Sequence, residues 1–254
     1  MELLPTPCAI CGAFDAADEL YPANFQLDDL NTRIFSARRL PDGIHYRLVR
    51  CRECGLVRSD PVAPPEQLAE LYRTSTFDYG GEVANLKTTY GAYIGRACRI
   101  NPCKSMLDIR CGSGFVLEQA LSQGFTEVAG VEPSEAAVAA ARDDIRRYLK
   151  TDVFRSGLFP SGSFDLITLF QVFDHIDKPR EVLEACRETL KPGGLILLFN
   201  HNQTSLSARV LGEKSPIVDI EHTYLYSPAT LSKLLANCGF ETVKAGAAWN
   251  KYSL

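Results

Sequence analysis

The sequence predicts an α/β protein, a doubly wound and mostly parallel sheet preceded by a small cysteine-bearing ribbon. Three observations carry that expectation. From about residue 105 onward, short apolar runs alternate with segments of helical spacing. The stretch Ser105-Met-Leu-Asp-Ile-Arg-Cys-Gly-Ser-Gly-Phe115 reads as a strand, a glycine turn and a helix start, with Glu132 closing the next apolar run. Near the N-terminus, Cys8-Ala-Ile-Cys11-Gly12 is echoed by Cys51-Arg-Glu-Cys54-Gly55.

The ribbon comes first, over residues 1–60. Each C-x-x-C-G knuckle is a tight turn that aims two thiolates at one point, and the glycine after it permits the bend that brings amides toward sulfur. Cys8, Cys11, Cys51 and Cys54 together make a tetrahedral thiolate set suited to structural zinc. A redox pair or four free thiols is the competing reading. Arg47–Arg50 and Leu56-Val57 read as the strands that carry the second knuckle. Cys98, Cys103, Cys111, Cys186 and Cys238 stand singly and read as small core residues.

Asp60-Pro-Val-Ala-Pro-Pro65 stops any regular element and opens a linker and lid segment over residues 61–85. Within it, Glu66 to Tyr72 reads as a short helix and Arg73 to Gly81 as an aromatic loop, with Tyr79 a candidate lid residue. The main domain, residues 86–254, is entered by a helix from Val83 to Ile100. Strands follow near 105–111, 127–132, 147–150, 164–170 and 194–200. Buried parallel strands read as continuous apolar runs, as Leu195-Ile-Leu-Leu-Phe199 does. Ser134 is placed to cap a helix from Glu135 to Arg142, and Pro179 to begin one ending at Leu190. Ser227 caps another at Pro228, and Gly239 stops it; a strand from Glu241 to about Trp249 is then expected.

The glycine turn after a strand lets a ligand approach the backbone, and an acid about 20 residues on accepts hydrogen bonds from ribose hydroxyls. An adenosine-bearing cofactor is implied. A dinucleotide would need a third glycine under its pyrophosphate, whereas Gly112 and Gly114 are followed by Phe115-Val-Leu117. Asp108-Ile-Arg-Cys-Gly-Ser-Gly114 instead resembles the first motif of the class I S-adenosylmethionine-dependent methyltransferases. Val128-Ala-Gly-Val-Glu-Pro-Ser134, Thr151-Asp-Val153, Phe164 to His175 and Leu190-Lys-Pro-Gly-Gly-Leu-Ile-Leu-Leu-Phe199 are similar, in order, to the family's later motifs. That resemblance implies a Rossmann-like methyltransferase sheet. It sets Asp108 near the methionine amino end, Gly112 and Gly114 under the methionine and ribose, and Glu132 on the ribose. Asp152 and Val153 then meet the adenine, and Phe170 ends the strand that faces cofactor and acceptor. The family's closing antiparallel strand is not found before Leu254, so the chain is either a fragment or rearranged there.

Arg110 stands where the family usually has its first glycine. Its side chain either swings away, pairs with the methionine carboxylate, or blocks the pocket; in the last case the chain is a binding or scaffolding protein. The segment Glu221-His-Thr-Tyr-Leu-Tyr-Ser227 resembles one that many such enzymes place beside the acceptor. His222 is the first candidate base, His175 the second, and Tyr224 an orienting hydroxyl, with loop structure as the competing role. The zinc module followed by this domain is similar to sugar C-methyltransferases and related small-molecule enzymes. The implied acceptor is a small molecule, such as a sugar nucleotide or secondary metabolite.

Composition narrows the partners. A chain of 254 residues with 46% apolar and 23% charged residues is globular, and its net charge of -4 gives no general attraction to nucleic acid. A methyltransferase acting on RNA or protein through the zinc module is the alternative. No apolar run approaches the roughly 18 residues that span a bilayer, no secretion signal is evident, and the nine cysteines are odd in number. Reduced thiols and a cytoplasmic location are expected.

Overall fold

A computed structural model describes residues 2–26, 43–64, 67 and 83–248. The expected helix over 66–72, the Tyr79 loop and Trp249 lie outside the described residues. The chain divides into two compact units. One gathers the described residues within Met1–Thr76 with Asp174–Arg180 and Asn200–Ala247; the other gathers those within Phe77–Phe173 and Glu181–Phe199. The sequence reading divided the chain linearly near residues 60 and 85, whereas here residues 200–247 group with the N-terminal ribbon.

In the first unit, β1 (Ala17–Tyr21), β2 (Leu48–Cys51) and β3 (Val57–Ser59) form an antiparallel meander. The second knuckle is the turn between β2 and β3, closed by the Gly55 N–H on the Cys51 carbonyl at 2.9 Å with Gly55 at φ 79°. That left-handed conformation is why glycine follows the second cysteine. The other unit holds a parallel sheet made of β4 (Ser105–Ile109), β5 (Glu127–Glu132), β6 (Leu149–Thr151), β7 (Phe164–Phe170) and β8 (Leu190–Phe199), in the order β6-β5-β4-β7-β8. Order reverses between β4 and β7, and in open α/β sheets ligands bind at the carboxyl ends of the strands flanking that switch.

Helix α1 (Val83–Ile100) buries Leu86, Tyr90, Ile94 and Ala97 at helical spacing. Tyr90 stacks on Phe170 with centroids 4.1 Å apart, and Phe115 and Phe199 complete the cluster. Helix α2 (Phe115–Ser122) starts directly after Gly114. The helix expected from Glu135 to Arg142 is two pieces, α3 (Glu135–Ala139), capped by Ser134, and α4 (Asp143–Arg146), because Arg142 turns extended at ψ 144°. Helix α5 (Pro179–Thr189) leads into β8.

Beyond β8, α6 (Leu206–Leu211) precedes β9 (Tyr224–Leu225), and α7 (Pro228–Asn237) ends the regular structure, with Gly239 at φ 81° behind it. β9 pairs antiparallel with β3 and so completes the ribbon sheet; among the described residues, no antiparallel strand joins the parallel sheet. The strand expected from Glu241 is absent over residues 241–248, which are exposed throughout. Val243, the one large apolar side chain there, is 61% exposed and offers no face to bury. None of the described helices is long and apolar enough to cross a membrane.

Candidate active site

The residues expected to meet the cofactor, Asp108, Gly112, Gly114 and Glu132, sit at the carboxyl ends of β4 and β5. Asp108 lies opposite Thr168 in the β4–β7 register, and the Thr168 hydroxyl donates to its Oδ1 at 2.6 Å. The carboxyl is fully buried; burial raises its pKa, the threonine bond opposes this and the Glu132 charge adds to it, leaving it at about 7. Glu132 accepts from the Gly112 N–H at 3.0 Å and from the Ser134 N–H at 2.9 Å. One carboxylate thus holds the glycine turn and the next helix start together, and keeps lone pairs to spare for hydroxyls.

The strand stops at Ile109 rather than 111 because Arg110 is left-handed, φ 56°, while its N–H donates to the Val131 carbonyl at 2.7 Å. A side chain therefore occupies a conformation that glycine adopts freely. Arg110 is half-buried. Gly114, at φ 75°, has a different reason for its identity: an added Cβ would come within 2.7 Å of Ile145 Cγ2.

Asp152 and Val153 follow β6. The Asp152 carboxylate accepts from the Val153 N–H at 2.8 Å and pairs with Arg155, while the Val153 side chain is 56% exposed. An exposed valine beside a strand end suits a ring laid on it. Phe170, by contrast, has one face taken by Tyr90 and is buried, so it works as packing.

The acceptor candidates lie in the first unit. The Thr223 N–H donates to the Asp174 carbonyl, the Ser59 N–H to the Thr223 carbonyl, and the Ser59 hydroxyl to the His222 carbonyl. These bonds bring His222, His175 and His201 around the fully buried Asp174. His201 Nδ1 is 2.7 Å from Asp174 Oδ2, His175 Nε2 is 3.7 Å from Oδ1, and His222 Nε2 is 3.9 Å from Oδ2. Burial pushes Asp174 up, but the charges and hydrogen bonds of those histidines outweigh it and hold it far below the usual carboxylate range. Tyr224 does not join them. Its hydroxyl donates to the Pro7 carbonyl at 3.0 Å and its ring is buried beside β3, which leaves no hydroxyl for an acceptor. Sequence reasoning passed over Thr168, Asp174 and His201. Only the β4–β7 register and a bond between residues 163 apart in the chain, from the Ser59 hydroxyl to the His222 carbonyl, reveal them.

The four knuckle sulfurs, Cys8, Cys11, Cys51 and Cys54, lie within 4.8 Å of one another. Thiolates about 2.3 Å from a tetrahedral zinc sit roughly 3.8 Å apart, so the set fits such an ion. Burial raises the Cys51 thiol, yet N–H donation from Cys54 and Glu53 and the neighbouring thiols bring it to about 7.

A parallel sheet with its order reversed at β4, a glycine turn after β4 and an acid ending β5 define a class I S-adenosylmethionine-dependent methyltransferase. The buried Asp108 and Glu132 fit that cofactor's ammonium and ribose. A protein-family model described as "Methyltransferase domain" matches residues 84–245, and the chain belongs to that family. Among curated proteins, the ubiquinone biosynthesis O-methyltransferase of Azoarcus sp. (strain BH72) is 27% identical over 58% of this chain and 69% of its own length. The protein of the same name from Pseudomonas aeruginosa (strain LESB58) is 31% identical over 43% of this chain and 50% of its own. The chain thus spans between about half and about two thirds of the length of these two relatives. Among solved structures, a methyltransferase from Archaeoglobus fulgidus has a TM-score of 0.50 at 23% identity, covering 71% of this chain and 76% of that one. A Thermotoga maritima methyltransferase, described as a possible histamine N-methyltransferase, also scores 0.50 at 21% identity, covering 63% and 74%. These two show the fold.

Proposed function

We propose that the chain transfers a methyl group from S-adenosylmethionine to a small-molecule acceptor that loses a proton in the reaction. The observation that carries this reading is the pair of buried carboxylates at the strand ends, Asp108 on Thr168 and Glu132 on the Gly112 turn, in a chain whose family model is a methyltransferase domain. The curated relatives named O-methyltransferases support a hydroxyl. In this reading Asp108 meets the cofactor's ammonium, Glu132 its ribose, Gly112 and Gly114 leave room for it, and Asp152 with Val153 meets the adenine. When bound, the cofactor supplies an electrophilic methyl on a sulfonium. The protein's part is to hold donor and acceptor in line and exclude water.

Cys8, Cys11, Cys51 and Cys54 hold a structural zinc ion that fixes the ribbon. The acceptor class follows from charge as well: with a net charge of -4 the chain favours a small molecule over RNA.

Two measurements test the proposal. Calorimetry should show S-adenosylhomocysteine binding the zinc-loaded chain, and Asp108→Ala should abolish the heat. Labelled methyl from S-adenosylmethionine should enter a metabolite extract freed of macromolecules; label entering only RNA or protein would overturn the small-molecule assignment.

A further inference from the structure

We propose that Asp174, His175 and His222 form a second metal site within the ribbon unit. It takes a divalent ion of the zinc type through two imidazole nitrogens and a carboxylate oxygen, and leaves one position for an oxygen ligand. All three residues belong to that one unit, and the proposal is independent of the methyl-transfer reading.

The three offer one ligand atom each, and those atoms lie within 4.8 Å of one another. Spacing decides what holds the cluster together. His175 Nε2 is 3.7 Å from Asp174 Oδ1, and His222 Nε2 is 3.9 Å from Asp174 Oδ2. Both exceed the roughly 3.2 Å limit of an N–H···O hydrogen bond, so direct bonds do not close these two contacts. Nitrogen and oxygen donors about 2.0–2.2 Å from a tetrahedral zinc sit roughly 3.4 Å apart, and shifts of a few tenths of an ångström bring these atoms there.

The polar atoms are also arranged for a cation. The Asp174 side chain is 1% exposed, yet its Oδ1 has no hydrogen-bond partner, which is costly for a carboxylate oxygen. A carbonyl only accepts, so the His222 Nδ1 that lies 2.8 Å from the Ile217 carbonyl carries the proton. Neutral His222 is then left with the Nε2 lone pair 3.9 Å from a carboxylate oxygen, acceptor against acceptor. A cation between them turns that repulsion into two bonds.

The groups behind the ligands match what metal sites require. Ligating imidazoles donate their other N–H to a carbonyl or carboxylate, and ligating carboxylates are themselves hydrogen-bonded. His222 does the first through Ile217, and Asp174 Oδ2 accepts from His201 Nδ1 at 2.7 Å. The charge of buried Asp219 acts on both His201 and His222, and together with Asp174 it balances a doubly charged ion. Asp174 and His175 are consecutive in a 3-10 turn, and the Thr223 N–H on the Asp174 carbonyl at 2.9 Å fixes the neighbouring His222 alongside.

Donor chemistry names the ion. Two imidazoles with one carboxylate suit zinc and its first-row neighbours, whereas calcium and magnesium take oxygen ligands. The four knuckle thiolates make a closed set. Three protein ligands on a tetrahedral ion instead leave a fourth position for water, or for a hydroxyl or carboxylate oxygen. His175 keeps 16% of its side chain exposed, so the cluster is not sealed.

Metal content and spectroscopy of the full chain test the proposal. Zinc-saturated wild type should keep two ions per chain through gel filtration, and Asp174→Asn and His222→Gln one. His45→Gln, which changes a histidine bonded to the Tyr46 carbonyl and Glu213, should keep two. Cobalt(II) added to wild type carrying a single zinc should give the visible bands of a nitrogen–oxygen site without thiolate-to-metal charge transfer. His201→Ala, which removes only the bond behind Asp174, should weaken that cobalt binding about 10- to 100-fold. One zinc per saturated wild-type chain overturns the proposal, as do two ions retained in both Asp174→Asn and His222→Gln, or cobalt bands of thiolate character alone. The amide signals of β1, β2, β3 and β9 report whether each variant is folded. Where a variant unfolds, the wild-type metal count and cobalt spectrum decide by themselves.

Discussion

The two units reach stability by different routes. The parallel sheet is held by contiguous apolar strands: all five residues of β4 are buried, and Met106, Leu107, Leu166, Ile167 and Leu169 are at most fractionally exposed. The ribbon unit has short strands and two small apolar clusters, one of Tyr46, Val62, Ala63 and Ile220 and one of Leu48, Val57, Val218 and Leu225, with buried charge beside them. Its largest fully buried side chain is Arg58, whose guanidinium donates to the Thr6 and Phe14 carbonyls and pairs with Asp60. Its segments come from three parts of the chain, joined by single bonds such as Ser59 to His222, Tyr224 to Pro7, and Asn237 to the Ile10 carbonyl. A buried ion pair of this kind specifies geometry more than it stabilises, because desolvation offsets much of the attraction. The sheet unit has one large apolar core, whereas the ribbon unit adds discrete polar ties to two small apolar clusters.

Removing the proposed metal is the strongest way to break that contrast. Structural zinc coupled to folding contributes about 10 kcal/mol in small modules. A chelator, or Cys51→Ser, should therefore collapse the amide signals of β1, β2, β3 and β9 while those of β4 to β8 persist. Signals from both units surviving in excess chelator would show that the thiols are not a metal site.

The next effect belongs to the sheet unit. In Glu132→Gln one carboxylate oxygen becomes an NH2 facing the N–H of Gly112 or Ser134, and a donor set against a donor in a buried site costs about 1–3 kcal/mol. Affinity for S-adenosylhomocysteine should drop about 10- to 100-fold by calorimetry, with the ribbon signals unchanged. An unaltered affinity would remove Glu132 from the ribose.

Asp108 gives a smaller, pH-dependent effect. Its folded-state pKa near 7 lies above the unfolded value, so the free protein binds an extra proton and loses stability through this group as pH rises from about 4 to 7. Cofactor binding runs the opposite way, because an ammonium beside Asp108 requires the ionised form. Affinity should weaken about tenfold per pH unit below 7, with proton release detectable as a buffer-dependent binding heat. A flat profile from pH 6 to 8 would mean that the ammonium lies elsewhere.

The same contrast explains what the sequence reveals. In the sheet unit each strand is its own signal: the ranges 127–132 and 164–170 match β5 and β7 to the residue, and Val83–Ile100 matches α1. Local apolar runs suffice there. The clustering of the four knuckle cysteines is legible too, because the spacing within each knuckle is local. The rest is not local. β9 looks like a short aromatic segment beside a histidine, and only its pairing with β3 explains Tyr224 and brings His222 to Asp174. Asp174 reads as an ordinary acid after a strand until three histidines converge on it, and His201 as the start of a polar loop.

Arg110 offers the smallest effect and the finest test of the sheet unit. A non-glycine residue at φ 56° costs about 1 kcal/mol in backbone strain, which Arg110→Gly relieves. Glycine also loosens the unfolded chain by a similar amount, about 0.5–1 kcal/mol, so the two nearly cancel. Thermal stability should hardly move. The bond that ends β4 runs from the Arg110 N–H to the Val131 carbonyl and needs no side chain, so the turn should keep its form. If the half-buried guanidinium lies clear of the adenosyl group, cofactor affinity changes less than about threefold, within the 1.4 kcal/mol that a tenfold change would require. A gain of tenfold or more would instead put the side chain in the cofactor's place and make Arg110 a brake on the enzyme.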